Sequence, residues 1–508
     1  MLAKLNSVTL EGIEGIICEV EVDVARGGLE KSLIVGLPDA AVKESIERVK
    51  SAIINCGYKY PKTNSLVNLA PADVKKAGPA FDLPIALGML LGNSAFLGSN
   101  LKDYVIAGEL ALDGRVRPVN GVLSMAMTAA AKGFKGIIVP LENSKEAAVV
   151  QNIEVYGVGS LTQAVGFLSN QLPLDTTTVD IGQLFNIESN YDIDFADVKG
   201  QENVKRALTI AGAGSHNIMM IGPPGAGKTM LAQRLATILP SLSLEESLET
   251  TRIYSSVGLL RDRALLAVRP VRMPHHTASG IALVGGGTNP RPGELSLANH
   301  GILFLDEFAE FPRHVLEMIR QPLEDGFVTV SRAKTTIRFP SQFMLIAAMN
   351  PCPCGYYGTD SRKCKCTPGQ IERYVSKISG PLVDRIDIHI DVPAVGFSKL
   401  RSKSNQLDSA TIRSDVIRTR AIQTQRFGDG KIMTNARMSH KQVEKFCQLD
   451  SSCEMILKQA MTEFGLSARA HDKICKIART VADLAGQPII KPEHIAEAVS
   501  YRKLDRKL

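Results

Sequence analysis

Tryptophan is absent from this 508-residue chain, and aromatic residues make up only 5% of it. Its cores must therefore rest on Leu, Ile, Val and Ala. Long apolar runs are missing as well. Residues 83–101 carry no charge but are interrupted by Pro84, Gly88, Gly92, Asn93, Gly98 and Asn100, and the uncharged residues 207–227 end in a glycine-rich loop. Neither is a continuous apolar stretch of about 20 residues, so neither reads as a membrane span. The N-terminus acquires Glu11 and Glu14 where a secretory signal would be apolar. Nine cysteines, an odd number without a signal, speak for a reducing cytosol and against a disulfide framework. The expectation is a cytoplasmic protein.

What is present is an ordinary globular balance of 44% apolar and 22% charged residues, which excludes wholesale disorder. The net charge of +7 is unevenly placed. Residues 398–508 hold 21 Lys and Arg against 12 Asp and Glu, while the rest holds 38 against 40. A basic C-terminal segment on a neutral body suggests a polyanion partner; a solvated helical face is the other reading.

Three regions are expected. Residues 1–170 mix short apolar runs (32–35, 104–106, 136–139) with helical patterns at 39–52 and 124–132. Residues 171–192 lack a strong period and read as a linker. Residues 193–393 alternate β-branched runs with helices, the pattern of an α/β domain with a largely parallel sheet. From 394 to 508 the strands stop and helical patterns follow, broken at Gly428, Gly430, Gly465 and Pro488.

The most specific motif is Gly222-Pro223-Pro224-Gly225-Ala226-Gly227-Lys228-Thr229, which satisfies G-x-x-x-x-G-K-[ST] in full. An apolar run precedes it and a helical pattern follows. Such a loop wraps backbone N–H groups around phosphate oxygens at a helix N-terminus. Lys228 is expected to reach the β/γ-phosphates of ATP, and Thr229 to ligate Mg²⁺. Downstream, Ile302-Leu303-Phe304-Leu305 ends in Asp306-Glu307. Two acids at the C-terminal end of a central strand stand where ligands bind in open α/β sheets. Asp306 would hold Mg²⁺ and Glu307 would polarise the attacking water as general base. A third strand, 343–349, ends in Asn350, placed either to orient that water or to begin the Pro351 turn.

Cys352, Cys354, Cys364 and Cys366 form a C-x-C…C-x-C array in 15 residues. Four thiols so close in a cytosolic chain read as tetrahedral Zn²⁺; reduced unliganded cysteines and redox pairing are the alternatives.

This set of residues resembles the AAA+ ATPases, and within their magnesium-chelatase-like branch the ComM/YifB competence family. The match is carried by both motifs together with Pro274-His275-His276-Thr277-Ala278-Ser279, Gly285-Gly286-Gly287, residues 291–300, Asn350-Pro351-Cys352-Pro353-Cys354-Gly355 and residues 380–387. The resemblance implies an N-terminal Lon-protease-like α+β domain, a central AAA+ P-loop α/β domain and a C-terminal helical lid. It implies a homo-hexamer that binds single-stranded or branched DNA and drives branch migration during natural transformation, with recombination proteins as partners and no membrane. It further implies that Arg385 completes the neighbouring subunit's site and that Arg469 acts from the lid. An intrachain pair of Arg385 with Asp384 or Asp387 is the alternative.

Between Glu307 and Asn350, two β-rich runs flank the basic tip holding Arg332 and Lys334, which reads as a hairpin. It resembles a hairpin that lines the pore of related helicases, where both residues would meet DNA phosphates; a solvated hairpin is the bland alternative. The insert around 278–292 would supply a second, mobile pore loop. In the first region the protease's nucleophile position holds Ala80, and the position expected for its lysine base holds Leu123. Neither can serve a Ser–Lys mechanism. A remodelling chaperone acting on a protein, similar to the subunit that drives metal insertion into a porphyrin, is the second functional reading.

Overall fold

The structure is a computed structural model, and it describes all residues except 26, 28–30, 99, 188–191, 261–262, 332–335, 360–361, 397–406, 429–432 and 503–508. Arg332 and Lys334 therefore lie outside the described residues. The chain divides into two compact units, Met1–Glu188 with Ser243–Ala267, and Ser189–Leu242 with Val268–Leu508. Among the described residues no helix is long and apolar enough to cross a membrane.

The first unit is built on a seven-stranded mixed sheet in the order Ser32–Val35, Ser65–Ala70, Glu14–Val24, Leu2–Glu11, Tyr104–Ile106, Gly136–Pro140, Glu154–Val158. Strand alternation sends neighbouring residues to opposite faces. Thus Ile106 and Ile138 join one core with the helices Ala40–Asn55 and Asp82–Gly92, while Val105 and Ile137 join another with Val122–Ala131. Asp39 starts the helix Ala40–Asn55 by accepting from the Val42 amide at 2.9 Å, which satisfies one of the free N–H groups of the first turn.

Two features of this unit depart from the expected layout. Residues 171–192 are not wholly a linker, because Ile181–Ile187 is a helix started by Asp180 and packed through Ile181, Leu184 and Phe185 on Val149 and Leu265. That i, i+3, i+4 spacing is too short to show a period in the sequence. The other departure is Leu244–Ser256, a helix with a Ser243–Glu246 capping box. It lies beyond the P-loop in sequence but packs in the first unit. Buried Glu146 accepts from the Leu123 amide at 2.9 Å and also from Ser255, tying this helix to Val122–Ala131.

The second unit holds a five-stranded parallel sheet ordered Val271–Arg272, Ile302–Leu305, Met344–Met349, Ile218–Ile221, Ile388–Asp391. The β-branched and apolar strands are buried on both faces, as a parallel sheet requires. Among the described residues five helices follow, Ser409–Phe427, His440–Phe446, Ser451–Phe464, Ala468–Leu484 and Pro492–Ser500. Gly428 and Gly465 end two of them in positive-φ conformations that favour glycine. Ile474, Ile477 and Val481 share one core with Ile218, Ile346 and Ile388, so the helices and the sheet form one body. The insert after Val271–Arg272 is also more ordered than expected. Ser279 starts the helix Gly280–Val284, and Gly285–Gly286 pairs with Arg291–Pro292.

A buried charge cluster ties these helices to the sheet. Asp387 stands 2.8 Å from Lys473 Nζ and 3.2 Å from His216 Nδ1, and His216 Nε2 stands 2.8 Å from Thr480 Oγ1. Burial opposes the Asp387 charge, but Lys473 and His216 outweigh it and hold the carboxyl well below the usual carboxylate range. Removing one member of such a cluster strands the others, so Asp387→Ala is expected to cost about 3–5 kcal/mol in denaturant unfolding. The sign with pH follows from the lowered value. The contribution is present above the unfolded carboxyl value of about 4 and is lost as pH falls below it. The gap between native and Asp387→Ala protein should therefore narrow in acid; a gap constant from pH 7 to pH 3 would contradict this.

Candidate functional site

The strand Ile218–Ile221 sits between Met344–Met349 and Ile388–Asp391, and the glycine-rich loop leaves its C-terminal end. Gly225 and Gly227 have φ of 75° and 85°, a region that side chains strain to enter. With these turns the loop delivers the chain into the helix Lys228–Ile238, whose first N–H groups carry the positive end of the helix dipole.

Four polar side chains converge there. Lys228 is 9% exposed, and burial lowers its pKa. Its Nζ donates to the carbonyl oxygens of Gly222 (2.8 Å) and Pro223 (3.0 Å) and to Asn350 Oδ1 (3.1 Å). The lysine is thus folded into the rim of its own loop. Thr229 Oγ1 donates to Asp306 Oδ2 at 2.6 Å, and Asp306 Oδ1 accepts from the Glu307 amide at 2.9 Å. A hydroxyl oxygen and a carboxylate at that separation form a hard-oxygen pair that suits Mg²⁺, which favours one or two protein oxygens and keeps several waters.

Glu307 has φ of 51° and so lies in the left-handed region, which costs a non-glycine residue energy and marks a place where the surroundings hold it. One oxygen of its carboxylate stands 2.8 Å from His276 Nδ1. The His276 ring lies tilted by 34° against His275 at 4.1 Å and meets Phe311 edge-on at 6.4 Å. No local pattern in the sequence marks His276 as a partner of Glu307. The only signal for it was its place in the Pro274–Ser279 motif.

The remaining sequence candidates fall elsewhere in the second unit. Arg385 pairs with neither Asp384 nor Asp387. Its Nη2 lies 2.6 Å from Glu324 Oε1, near the end of the helix Arg313–Asp325, and its Nη1 donates to the Pro381 carbonyl at 2.6 Å. Arg469 is exposed in the first turn of Ala468–Leu484. The strands Phe327–Ser331 and Thr336–Pro340 form the expected antiparallel hairpin, closed at the Ser331–Thr336 pair. In the first unit, Ala80 and Leu123 are both buried apolar residues.

The four cysteines gather. Their sulfurs lie within 4.8 Å of one another, with Cys352–Cys354, Cys352–Cys364 and Cys354–Cys364 at 3.4, 3.7 and 3.6 Å, and none is in a disulfide. Four thiolates around a tetrahedral zinc at 2.3 Å would stand about 3.8 Å apart, so the donor set fits that ion. Backbone N–H groups of Lys365 and Tyr356 pull the Cys354 thiol down to about 6.

Comparison with known proteins bears on the whole chain. Residues 194–400 match the family described as magnesium chelatase, subunit ChlI; residues 20–143 match subunit ChlI of Mg-chelatase; and residues 406–502 match its C-terminal part. The chain is 43% identical to the competence protein ComM of Haemophilus influenzae, over 100% of this chain and 98% of that protein. It is 40% identical to the uncharacterized protein YifB of Salmonella typhimurium, over 100% and 98%. A more distant similarity, 26% over 31% of this chain, is to the magnesium-chelatase 38 kDa subunit of Cereibacter sphaeroides, of which it covers 52%.

Proposed function

The chain belongs to the ComM/YifB family of magnesium-chelatase-like AAA+ proteins, and from that premise we propose that it is a ring-forming, ATP-driven DNA translocase that promotes branch migration during natural transformation and homologous recombination. The observation that carries the reading is the convergence of Lys228, Thr229, Asp306, Glu307 and Asn350 at the C-terminal end of one parallel sheet.

In this reading residues 222–229 cradle the triphosphate. Lys228 leaves the loop carbonyls for the β/γ-phosphates, and Thr229 and Asp306 hold Mg²⁺. Glu307 takes the proton of the attacking water, and Asn350 orients that water. Arg385 exchanges Glu324 for the γ-phosphate of a neighbouring subunit in a homo-hexamer, stabilising charge in the transition state. Arg469 supports the same charge from the helical region. Cys352, Cys354, Cys364 and Cys366 hold a structural zinc. Protein purified without added metal should then carry about one zinc per chain; less than about 0.2 equivalents in reduced, folded protein would refute the assignment.

The hairpin Phe327–Ser331/Thr336–Pro340 lies between Glu307 and Asn350 in sequence, so its movement can follow the state of the γ-phosphate. Replacing Arg332 and Lys334 with Ala is expected to weaken DNA binding similarly for all sequences and to make it less salt-dependent. Basal ATP hydrolysis should survive, while stimulation by DNA and movement of a branched substrate should be lost. A double variant that moves branched DNA at the native rate would refute the pore role.

The second reading, a remodelling ATPase acting on a protein, is favoured by the magnesium-chelatase family matches along the chain. One assay separates the two. DNA translocation requires that ATP hydrolysis rise on addition of a four-way junction and that the junction be resolved. Hydrolysis indifferent to DNA, with no strand movement, would favour the remodelling reading.

A further inference from the structure

The four-cysteine centre begins two residues after Asn350 and is woven into the wall of the phosphate loop. Met349 accepts from the Gly222 amide at 3.2 Å, joining the end of one strand to the start of the loop. Asn350 Oδ1 receives Lys228. Gly355, one residue past Cys354, adopts φ of 85° and donates to the Cys352 carbonyl at 2.9 Å. A Cβ there would stand 2.5 Å from Pro224 Cδ, so this backbone lies directly on the loop's proline ring.

After Cys366 the chain enters the helix Pro368–Val375 through a Thr367–Gln370 capping box. Buried Tyr374 of that helix has the Asn350 backbone beside its hydroxyl. Asn350, the cysteine pairs and Tyr374 therefore form a closed circuit. Between Pro351 and the helix there is no regular element among the described residues. A segment of that length without secondary structure holds a shape only if something clips it, and bringing its ends together costs entropy that a metal clip removes.

We propose that the four-cysteine centre is a working part of the nucleotide site: by closing the segment 352–366 around a thiophilic divalent ion, zinc in particular, it holds Asn350 beside Lys228 and Gly355 against Pro224. ATP affinity is then tied to metal occupancy. No residue of the centre touches nucleotide; Gly355 and the four cysteines act by positioning. The inference rests on the ATPase reading above and deepens it.

The test uses the full chain. Metal is removed with a chelator under thiol reductant, zinc is counted by elemental analysis, and affinity for a fluorescent ATP analogue is measured at each stage. Metal-free protein with unchanged circular dichroism should bind the analogue about tenfold or more weakly, the scale of one displaced hydrogen-bonding group, and one equivalent of zinc should restore it. Equal affinity with and without zinc overturns the proposal and leaves the ATPase reading standing. A metal-loaded native chain that binds no ATP overturns both.

Gly355→Ala tests the contact by another route, and decides the matter if metal removal unfolds the chain. It keeps all four sulfurs but presses a methyl group into Pro224. It should retain one zinc and lose ATP affinity by a similar factor. A zinc-loaded Gly355→Ala protein with native affinity would overturn the coupling.

Discussion

Glu307→Gln protein is expected to bind ATP with near-native affinity while its turnover falls by roughly 10²–10⁴-fold. The substitution keeps the shape of the side chain and one oxygen that His276 can still reach, since the native contact is a single 2.8 Å approach to one carboxylate oxygen. What it removes is the capacity to accept a proton from water. Binding is expected to persist because the proposed reading places Lys228, Thr229 and the loop amides, not Glu307, against the triphosphate. Phosphate release and nucleotide binding, measured on the same preparation, check both halves. Hydrolysis at the native rate would show that Glu307 is not the base.

The other large effect is expected at a distance from the loop. Arg385→Ala should reduce hydrolysis by roughly 10³-fold or more if the residue completes a neighbour's site, the scale attached to such arginines in phosphoryl transfer. In the single chain Arg385 is held by Glu324 at 2.6 Å and is largely buried, so its guanidinium is committed within its own chain, and the proposed trans role requires it to exchange that partner. Complementation distinguishes action in trans from a structural role. Arg385→Ala subunits retain a native Glu307, and Glu307→Gln subunits retain a native Arg385. Rings mixed from the two contain interfaces with one complete site, and some hydrolysis should return. Demonstrably mixed rings with none would exclude the trans role.

The parts of the site legible in the sequence are those whose chemistry fixes a local spacing. Gly225 and Gly227 must take positive φ, Lys228 and Thr229 must open a helix, and Asp306 and Glu307 must end a buried strand, so each can be found within a dozen residues. The cysteine array is legible for the same reason. What remained hidden depends on distance along the chain. His276 meets Glu307, Glu324 meets Arg385, and Asp387 meets His216 and Lys473, each between residues that no local period relates. The Gly355 contact with Pro224 is a backbone approach, and composition leaves no mark of it beyond one glycine among several.

The layout of regions shows the same limit. The helices after residue 408 could be read from their patterns, but not that their apolar faces complete the core of the parallel sheet. The helix Leu244–Ser256 was equally invisible as a member of the first unit, because its capping box and period describe a helix without saying where it docks.

That docking carries a consequence for synthesis. The polypeptide leaves the first unit before the P-loop, returns at Ser243 and leaves again at Ala267. As the chain emerges from the ribosome, residues 1–188 lack Ile253, Tyr254 and Leu265, and Glu146 waits without Ser255. At about 5–20 residues per second, the interval before residue 267 appears is several seconds, during which the N-terminal unit exposes an unfilled face. Its maturation is therefore bound to the emergence of the phosphate loop that lies between its two parts. A stop codon anywhere in 189–242 would remove the closing helix from the N-terminal unit as well as at least four of the five strands from the sheet of the second.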